Sequence, residues 1–215
     1  MTGNASFGLA LTSGNKDTSS INAGYEVKYD PQTGNVFKSA GMLLTGKTDG
    51  ESTVEQYQLT FRDEYSLNPR AFVFGDFRYL HDKFKGIDYL LSPTGGIGYK
   101  VLDLDATKVA VSAGIGLVSE QDHGLELHTT GAVTADEKLT HQLSKTATVS
   151  QGFTALWKTS GFGDALYSIS ASLAAAITEQ AQLKVEVLDS YKTKPPESFP
   201  NKNGLTVLMA IVYKF

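Results

Sequence analysis

The sequence predicts an all-β fold: a closed antiparallel up-and-down transmembrane β-barrel of about twelve strands. Three observations lead to this prediction. Apolar and polar residues alternate with a period of two through nearly every segment, which is typical of strands with one apolar face. Aromatic side chains recur at the ends of the apolar faces, and two kinds of connection alternate along the chain. We expect a single outer-membrane barrel domain over residues 1–215.

The alternation is clearest in the last strand. One face carries Leu205, Val207, Met209, Ile211, Tyr213 and Phe215, and the other carries Thr206, Leu208, Ala210, Val212 and Lys214. Strand two repeats the pattern, with Ile21, Ala23, Tyr25, Val27 and Tyr29 on its apolar face. No segment reaches the roughly 18 apolar residues that a membrane helix needs. We expect the strand that ends on Phe215 to pair with Ala5–Thr12 and so to close the barrel.

Turn-forming residues divide the strands into two sets of connections. The tight set is Asp30–Gly34, Leu67–Arg70, Asp103–Thr107, Ser144–Thr146 and Thr178–Gln182. The more varied and often longer set is Gly14–Thr18, Gly46–Thr53, Lys83–Gly86, Glu120–His128, Lys158–Asp164 and Lys192–Asn203. Because the two sets alternate, short turns lie at one rim and the longer loops at the other, as in outer-membrane barrels.

The apolar face is predicted to meet lipid. Aromatic residues stand at strand ends, where amphipathic rings favour the membrane–water interface: Tyr25, Tyr29, Tyr65, Tyr79, Tyr99, Tyr191, Tyr213 and Phe215. The opposite face holds mixed charges and small polar groups, unlike the interior of a soluble sheet sandwich. The alternative is a soluble β-sandwich or lipocalin-like barrel, in which the same apolar face points inward.

Composition narrows the location and the partners. The chain has no cysteine, which excludes disulfides and Cys-based metal sites, and its net charge of -4 argues against nucleic acid as a partner. Met1–Ala10 alternates like a strand, so we expect a secreted precursor whose signal peptide has been removed. The predicted location is the outer membrane of a Gram-negative-type bacterium, with the lipid bilayer and lipopolysaccharide as partners.

The sequence also resembles a known family. The segments that carry the resemblance are SGNKDTSS at Ser13–Ser20, GESTVEQYQL at Gly50–Leu59, FRYLHDKFKGIDYLLSPTGGIGY at Phe77–Tyr99, KTKPP from Lys192, and the final VYKF. They are similar to family 481 of domains of unknown function, whose members are described as salt-induced outer-membrane proteins. The resemblance implies an outer-membrane barrel and brings no established reaction or substrate.

The C-terminal pattern resembles the signal by which outer-membrane barrels are recognised for assembly. It consists of Met209, Ile211, Tyr213 and Phe215 on one face. This resemblance implies the outer-membrane barrel assembly machinery as a partner, and it fixes the class of protein without indicating a cargo.

The inward face is predicted to be uneven. Its charged candidates lie on strands two, four, five and eleven: Glu26, Lys28, Arg62, Glu64, Asp76, Arg78, Asp82, Lys184 and Glu186. The remaining wall is small and polar: Ser92, Thr94, Gly96, Gly98, Ser112, Gly114, Gly116, Ser150, Gly152, Thr154, Ser168, Ser170 and Ser172. A barrel of twelve tilted strands has a backbone radius of roughly 12 Å, so long side chains reach well into it. These charges either set the selectivity of a narrow polar channel or form an ion-pair network without transport.

No arrangement of residues supports an enzyme. The four histidines, His81, His123, His128 and His141, lie in no hydrolase motif. Ser119, Glu120, Asp122, His123, Glu126 and His128 fall in a predicted loop, where a divalent-cation site is the alternative to a solvated loop. Gly95, Gly96 and Gly98 lack the Lys-Ser/Thr ending of a phosphate loop. We expect no catalytic residues, no metal and no cofactor.

The predicted function follows from the barrel and its polar lumen. The chain is expected to be a porin-like narrow channel for small polar solutes or ions. The alternative is a structural or docking barrel within a larger outer-membrane or envelope complex, with an envelope protein as its partner and no transport.

Overall fold

The computed structural model describes residues 1–13, 18–48, 51–83 and 85–215, and within these ranges it contains twelve strands. They are β1 (Thr2–Ser13), β2 (Thr18–Tyr29), β3 (Asn35–Thr48), β4 (Glu51–Ser66), β5 (Ala71–Asp82), β6 (Ile87–Asp103), β7 (Thr107–Asp122), β8 (His128–Gln142), β9 (Ala147–Lys158), β10 (Ala165–Ala176), β11 (Ala181–Lys192) and β12 (Asn203–Lys214). No helix in these ranges is long and apolar enough to cross a membrane.

The strands form one closed antiparallel barrel. Each strand pairs with its neighbours in sequence, and β12 returns to pair with β1. Ala5 lies opposite Tyr213 and Thr12 opposite Thr206, which confirms the predicted closing pair. Beyond the last strand residue, the Phe215 N–H donates to the Gly3 carbonyl at 3.0 Å and the Gly3 N–H donates back at 2.9 Å. The predicted fold class is therefore confirmed.

The two rims differ as the turn signals predict. The turn side joins strands through residues 30–34, 67–70, 104–106, 143–146 and 177–180. Three of its turns are fixed by a side-chain oxygen of Asn68, Ser144 or Thr178, which accepts backbone N–H groups two and three residues on. The loop side carries the other connections, of which residues 193–202 form the longest one described.

The loop-side strands extend further than the sequence predicts. β7 continues to Asp122 and β8 begins at His128. The connection predicted to span Glu120–His128 therefore consists of residues 123–127. β3 and β4 extend into the predicted Gly46–Thr53 connection, of which residues 49–50 lie outside the described residues, as do residues 14–17 of the predicted Gly14–Thr18 loop. The reason is physical: hairpin pairing continues for as long as the backbone groups of both strands find hydrogen-bond partners in each other.

The apolar residues face outward. In β12, Ile211 is 51% exposed while its neighbour Val212 is 6% exposed, and the alternation holds along the strand. Large apolar side chains are exposed on nearly every strand, among them Phe7, Tyr25, Phe61, Ile97, Ile115, Ile169 and Val187. A soluble protein does not expose a continuous apolar belt of this extent. The soluble alternative is therefore wrong, and the barrel is of the transmembrane type.

Even-numbered residues form the inner face through the regular part of every strand, as the cross-strand pairs Asp136–Thr154 and Lys38–Arg62 illustrate. Two apolar clusters occupy this inner face towards the loop side. The larger contains Leu80, Ile87, Leu90, Val118, Ala132 and Leu156, and the smaller contains Ala10, Leu44 and Leu208. The interior is therefore filled by side chains over part of its length.

Candidate functional site

Arg62 on β4 is the centre of a charge cluster inside the barrel. Its Nε donates to Glu64 Oε1 at 2.9 Å, and its Nη2 donates to Ser112 Oγ on β7 at 3.0 Å. Its Nη1 lies 3.8 Å from Oδ2 of Asp76 and 3.8 Å from Oδ2 of Asp136. Because Asp136 is on β8, four strands from β4, this ion pair crosses the interior of the barrel.

Three cations and three carboxylates share this position. Arg78 Nη2 lies 3.6 Å from Asp136 Oδ1, and Lys38 Nζ donates to Glu64 Oε2 at 2.6 Å. We call the six residues Lys38, Arg62, Glu64, Asp76, Arg78 and Asp136 the central charge layer. The formal charges cancel, so the layer is polar without a strong net sign. Pairs of opposite charge that are also hydrogen-bonded offset the cost of partial burial.

Two aromatic rings lie beside this layer on the inner face. Arg62 stands 3.8 Å from the ring centroid of Phe74 and 6.0 Å from that of Phe72, within the range of cation–π attraction. Phe72 fits because Gly98 opposite it has no side chain: a Cβ there would lie 2.1 Å from Cζ of the ring. A Cβ at Gly114 would lie 3.1 Å from Cζ of Phe74. The glycines of the small wall therefore make room for rings.

The cross-barrel contacts fix the shape of the lumen. A circular barrel with the predicted radius of roughly 12 Å would separate strands that are four apart by about 20 Å. That distance exceeds the combined reach of an Arg and an Asp side chain. Since Arg62 Nη1 lies 3.8 Å from Asp136 Oδ2, the distance between β4 and β8 is shorter than it would be in a circular barrel.

The structure gathers four of the nine predicted charged residues, Arg62, Glu64, Asp76 and Arg78, into the central charge layer. The other five lie elsewhere on the even-numbered face. Lys28 pairs with Asp30 of a turn at 3.7 Å, and Glu26 is exposed near the same rim. Lys184 pairs with Glu186 on its own strand at 2.8 Å. Asp82 is buried and accepts a bond from Gln56 Nε2 at 3.1 Å.

A second charge cluster lies at the loop-side mouth. Lys192, the last residue of β11, donates to Glu120 Oε1 on β7 at 2.7 Å and also to Asp122. Lys158 at the end of β9 pairs with Glu120 and with Asp164. We call Glu120, Asp122, Lys158, Asp164 and Lys192 the mouth cluster. Lys192 is 2% exposed and Glu120 is 8% exposed at the side chain, so the ions are removed from water.

Lys85 ties the neighbouring loops together. Its Nζ donates to the carbonyl of Lys202 at 2.7 Å, and its backbone N–H donates to Asp82 Oδ1 at 3.1 Å. Its side chain is fully buried, and burial lowers the pKa of the Lys85 amino group to about 8, although Asp82 and Asp189 oppose the shift. The 193–202 connection is therefore anchored to the short 83–86 connection.

Burial differs between the two halves of the interior. On the loop side of the central charge layer, Leu90, Val118 and Thr206 are buried. On the turn side, the inward residues Glu26, Lys28 and Lys138 are exposed. The described inner face is therefore packed towards the loops and open to solvent towards the turns.

The structure moves part of the predicted loop cluster into the barrel. Glu120 and Asp122 belong to β7 and pair with lysines, whereas His123 Nδ1 remains at the surface, 3.3 Å from Asp88 Oδ1. Among residues 1–13, 18–48, 51–83 and 85–215, no group of three or more His, Asp or Glu side chains is placed to hold a metal ion.

Sequence reasoning missed several residues of both clusters. Lys38, Asp136, Lys158 and Lys192 are not among the predicted charged residues of the inner face, and Phe72 and Phe74 are not among its predicted residues. The even-numbered parity of Arg62 and Arg78, extended along β3, β5, β8, β9 and β11, places all six on the inner face. The signal was therefore present in the register, although the two phenylalanines contradict the pattern of a polar inside.

Comparison with known proteins identifies the family. The family model described as "Protein of unknown function, DUF481" matches residues 5–215. The chain belongs to this family. The predicted resemblance is thereby confirmed. One relative found by sequence comparison is the uncharacterized protein YdiY of Escherichia coli K12. It is 24% identical over 213 residues, which cover 98% of this chain and 82% of the relative.

Solved outer-membrane barrels share the fold. The NanC porin superimposes with a TM-score of 0.67 at 11% identity, covering 99% of this chain and all of that one. An outer membrane channel from Pseudomonas putida F1 gives 0.59 at 11% identity, covering 100% and 95%. The KdgM porin gives 0.55 at 10% identity, covering 98% and 99%. At these identities the likeness is one of fold: the chain has the architecture of outer-membrane porins and channels.

Proposed function

We propose that the protein is a narrow passive channel for ions and small polar solutes across the outer membrane of a Gram-negative-type bacterium. The observation that carries the proposal is the central charge layer, in which Arg62 and Asp136 meet across the lumen. A ring of fixed charges at a constriction is the arrangement by which many channels select their solutes. The shared fold with porins and channels supports the same reading.

The layer predicts modest selectivity. Its three cations, Lys38, Arg62 and Arg78, face three carboxylates, so neither sign of ion is strongly excluded. Narrowness between β4 and β8 limits the passing solute to a small cross-section. No step of catalysis is part of the proposal, since passage through such a layer requires only diffusion.

Ion current through a planar bilayer tests the proposal. Purified wild-type protein should give unitary conductance with a reversal potential close to zero in a salt gradient. Arg62→Gln leaves three carboxylates against two cations and should shift the reversal potential towards cation selectivity, whereas Asp136→Asn should shift it towards anion selectivity. Arg70→Gln, at an exposed turn, is the matched control and should change nothing. A folded barrel that never conducts would refute the proposal.

The packed loop-side half supports a second candidate. Because Leu90, Val118 and Leu208 leave little space there, the chain could instead act as a structural or docking barrel in a larger envelope complex without transport. Gentle extraction from native membranes decides between them. A stable complex with an envelope protein, together with absent conductance, would favour the docking barrel, and a lone conducting monomer would exclude it.

The membrane setting and assembly route belong to the same proposal. The exposed apolar belt is suited to the lipid bilayer and lipopolysaccharide. Met209, Ile211, Tyr213 and Phe215 form an exposed apolar row at the closing strand, and the ring of Phe215 at its turn-side end also lies against Gly3. We assign this row as the recognition signal for the barrel assembly machinery, which would act on a secreted precursor after removal of its signal peptide.

A further inference from the structure

We propose that the loop-side mouth of the lumen is a gate that the mouth cluster holds closed, with Lys192 as its bolt. The inference rests on the proposed channel function, because an open gate matters only if solutes pass. In the closed state Lys192 ties β11 to β7, and in the open state these ion pairs separate and water enters the loop-side half of the barrel.

The first argument is the span of the ties. Lys192 on β11 reaches Glu120 on β7, four strands away, and Lys158 on β9 reaches the same carboxylate. As with Arg62 and Asp136, a circular barrel would hold β7 and β11 about 20 Å apart, too far for such contact. The mouth is therefore drawn in along this line, and it can widen only if these ion pairs separate.

The second argument is the link to the longest loop. The Lys192 N–H donates to the Lys202 carbonyl at 2.9 Å, and Lys85 Nζ donates to that same carbonyl at 2.7 Å. The Thr193 N–H donates to the Ala165 carbonyl at 3.0 Å. Since Lys192 immediately precedes the 193–202 connection and is hydrogen-bonded to its last residue, any displacement of that loop acts directly on Lys192.

The third argument is the state of the interior that the gate covers. Among the residues that the structure describes, four side chains on the even-numbered face carry buried polar atoms without a hydrogen-bond partner in the protein: Ser20 Oγ, Asn22 Nδ2, Arg78 Nε and Thr134 Oγ1. Water that entered through an open mouth would satisfy all four. Entry of water therefore offsets part of the cost of separating the mouth cluster.

The ions themselves lower the barrier to opening. Removing charges from water carries a desolvation penalty that their attraction only partly repays, so a buried ion pair contributes little net stability. When the mouth opens, Glu120, Asp122 and Lys192 regain hydration. The ion pairs of the mouth cluster can therefore separate at a lower cost in free energy than packed leucines, while their geometry still defines one closed state.

Cysteine accessibility tests the gate without relying on ion current. The chain contains no cysteine, so a single introduced thiol is the only reactive one. Val118→Cys places it on the buried inner face of β7, two residues from Glu120. A small charged methanethiosulfonate should label this folded variant slowly. Adding Lys192→Met should raise the labelling rate by roughly tenfold or more, as a shift of population towards the open state requires.

Two further variants keep the test decisive. Lys192→Met with Asp122→Asn removes one charge of each sign, so it breaks the β7–β11 tie without changing the net charge of the mouth cluster, and it should also raise labelling. Lys184→Met is the matched control on the same strand, because Lys184 pairs only along β11 with Glu186 in the described contacts. It should leave labelling unchanged. Folding of each variant is verified by its heat-dependent mobility on gels.

The outcomes separate the gate from the channel. Faster labelling in both bolt variants, with no change for Lys184→Met, supports the gate even if no current is measured, in which case the channel function alone fails. Unchanged labelling in folded bolt variants overturns the gate, even where the wild-type protein conducts. Equal acceleration by Lys184→Met also overturns it, because the effect would then not depend on the mouth.

Discussion

Lys192 Nζ lies 2.7 Å from Glu120 Oε1, although the two residues belong to β11 and β7, which are not neighbouring strands in the barrel. At both charged groups, protein partners take the place of water: Lys192 also donates to Asp122, and Glu120 also pairs with Lys158. Because neither side chain is appreciably exposed, the strength of this contact is not screened by solvent as a surface ion pair would be.

Loss of Lys192 is expected to destabilise the folded barrel. Lys192→Met removes the cation that donates to both Asp122 and Glu120 and leaves Lys158 to compensate three carboxylates. A buried charge that loses its partner costs about 3–5 kcal/mol. Urea titration of the barrel in lipid vesicles measures the change. Lys184→Met, which breaks the more exposed pair with Glu186, should cost no more than about 1 kcal/mol. If the two variants lost the same free energy of unfolding, the claim that burial strengthens the contribution of Lys192 would be contradicted.

A methyl group at Gly98 is expected to strain the interior. Gly98→Ala places a Cβ 2.1 Å from the ring of Phe72, and such overpacking typically costs about 1–3 kcal/mol. Phe72→Leu in the same chain should restore much of the loss, because it removes the clashing atoms. Gly75→Ala is the control, since a Cβ there meets nothing within 4 Å. The same vesicle titration measures all three, and a loss that Phe72→Leu fails to relieve would contradict the contact.

Lys85 is expected to titrate far below an ordinary lysine. Its pKa is lowered from 10.5 to about 8 because its amino group is buried. Between these two pH values the unfolded chain holds the proton and the folded chain does not, so stability from this group rises as pH increases from about 8 towards 10.5.

A pair of variants isolates this titration. NMR of the lysine side chains in micelles should show one resonance with a midpoint near 8, absent from Lys85→Met and retained in Lys194→Met. The stability of the wild type relative to Lys85→Met should improve over the same pH range. A midpoint above 10 for the Lys85 resonance, close to its ordinary value of 10.5, would contradict the burial of its amino group.

Truncation of Phe215 is expected to affect assembly more than stability. Phe215→Ala keeps both backbone hydrogen bonds with Gly3, so the purified chain should still fold into vesicles at a similar rate. In cells, assembly through the barrel machinery should slow several-fold, because the terminal ring of the proposed signal is missing. Pulse-chase measurement of the folded form detects the delay. Equal slowing with and without the machinery would assign Phe215 a purely structural role.

The outward face could be predicted from sequence because its cause is local. Successive side chains of a strand point to opposite faces, so the exposed position of Ile211 follows from that of Tyr213 alone. The pairing of the last strand with Ala5–Thr12 follows equally directly, since an up-and-down barrel leaves the first and last strands only each other, whereas the register that sets Ala5 opposite Tyr213 comes from the structure.

The contacts within the lumen could not be predicted in the same way. Whether Arg62 meets Asp136 depends on how far β4 stands from β8, and that distance depends on the whole cross-section. The sequence predicts loops at Lys192 and Glu120, whereas both belong to strands, because the end of a strand depends on whether its neighbour continues to pair. Phe72 and Phe74 face inward against the expected polarity, and only the room left by Gly98 and Gly114 explains their position.

The placement of rings over glycines also makes the interior easy to hollow out. Truncating Phe72 and Phe74 would remove two aromatic rings from a wall whose facing residues have no side chains to move into the space. An apolar hollow of this kind stays dry and accommodates guests such as benzene or xenon. The same barrel could then serve as a host for small hydrophobic molecules beside a charged opening, a combination useful in a nanopore sensor.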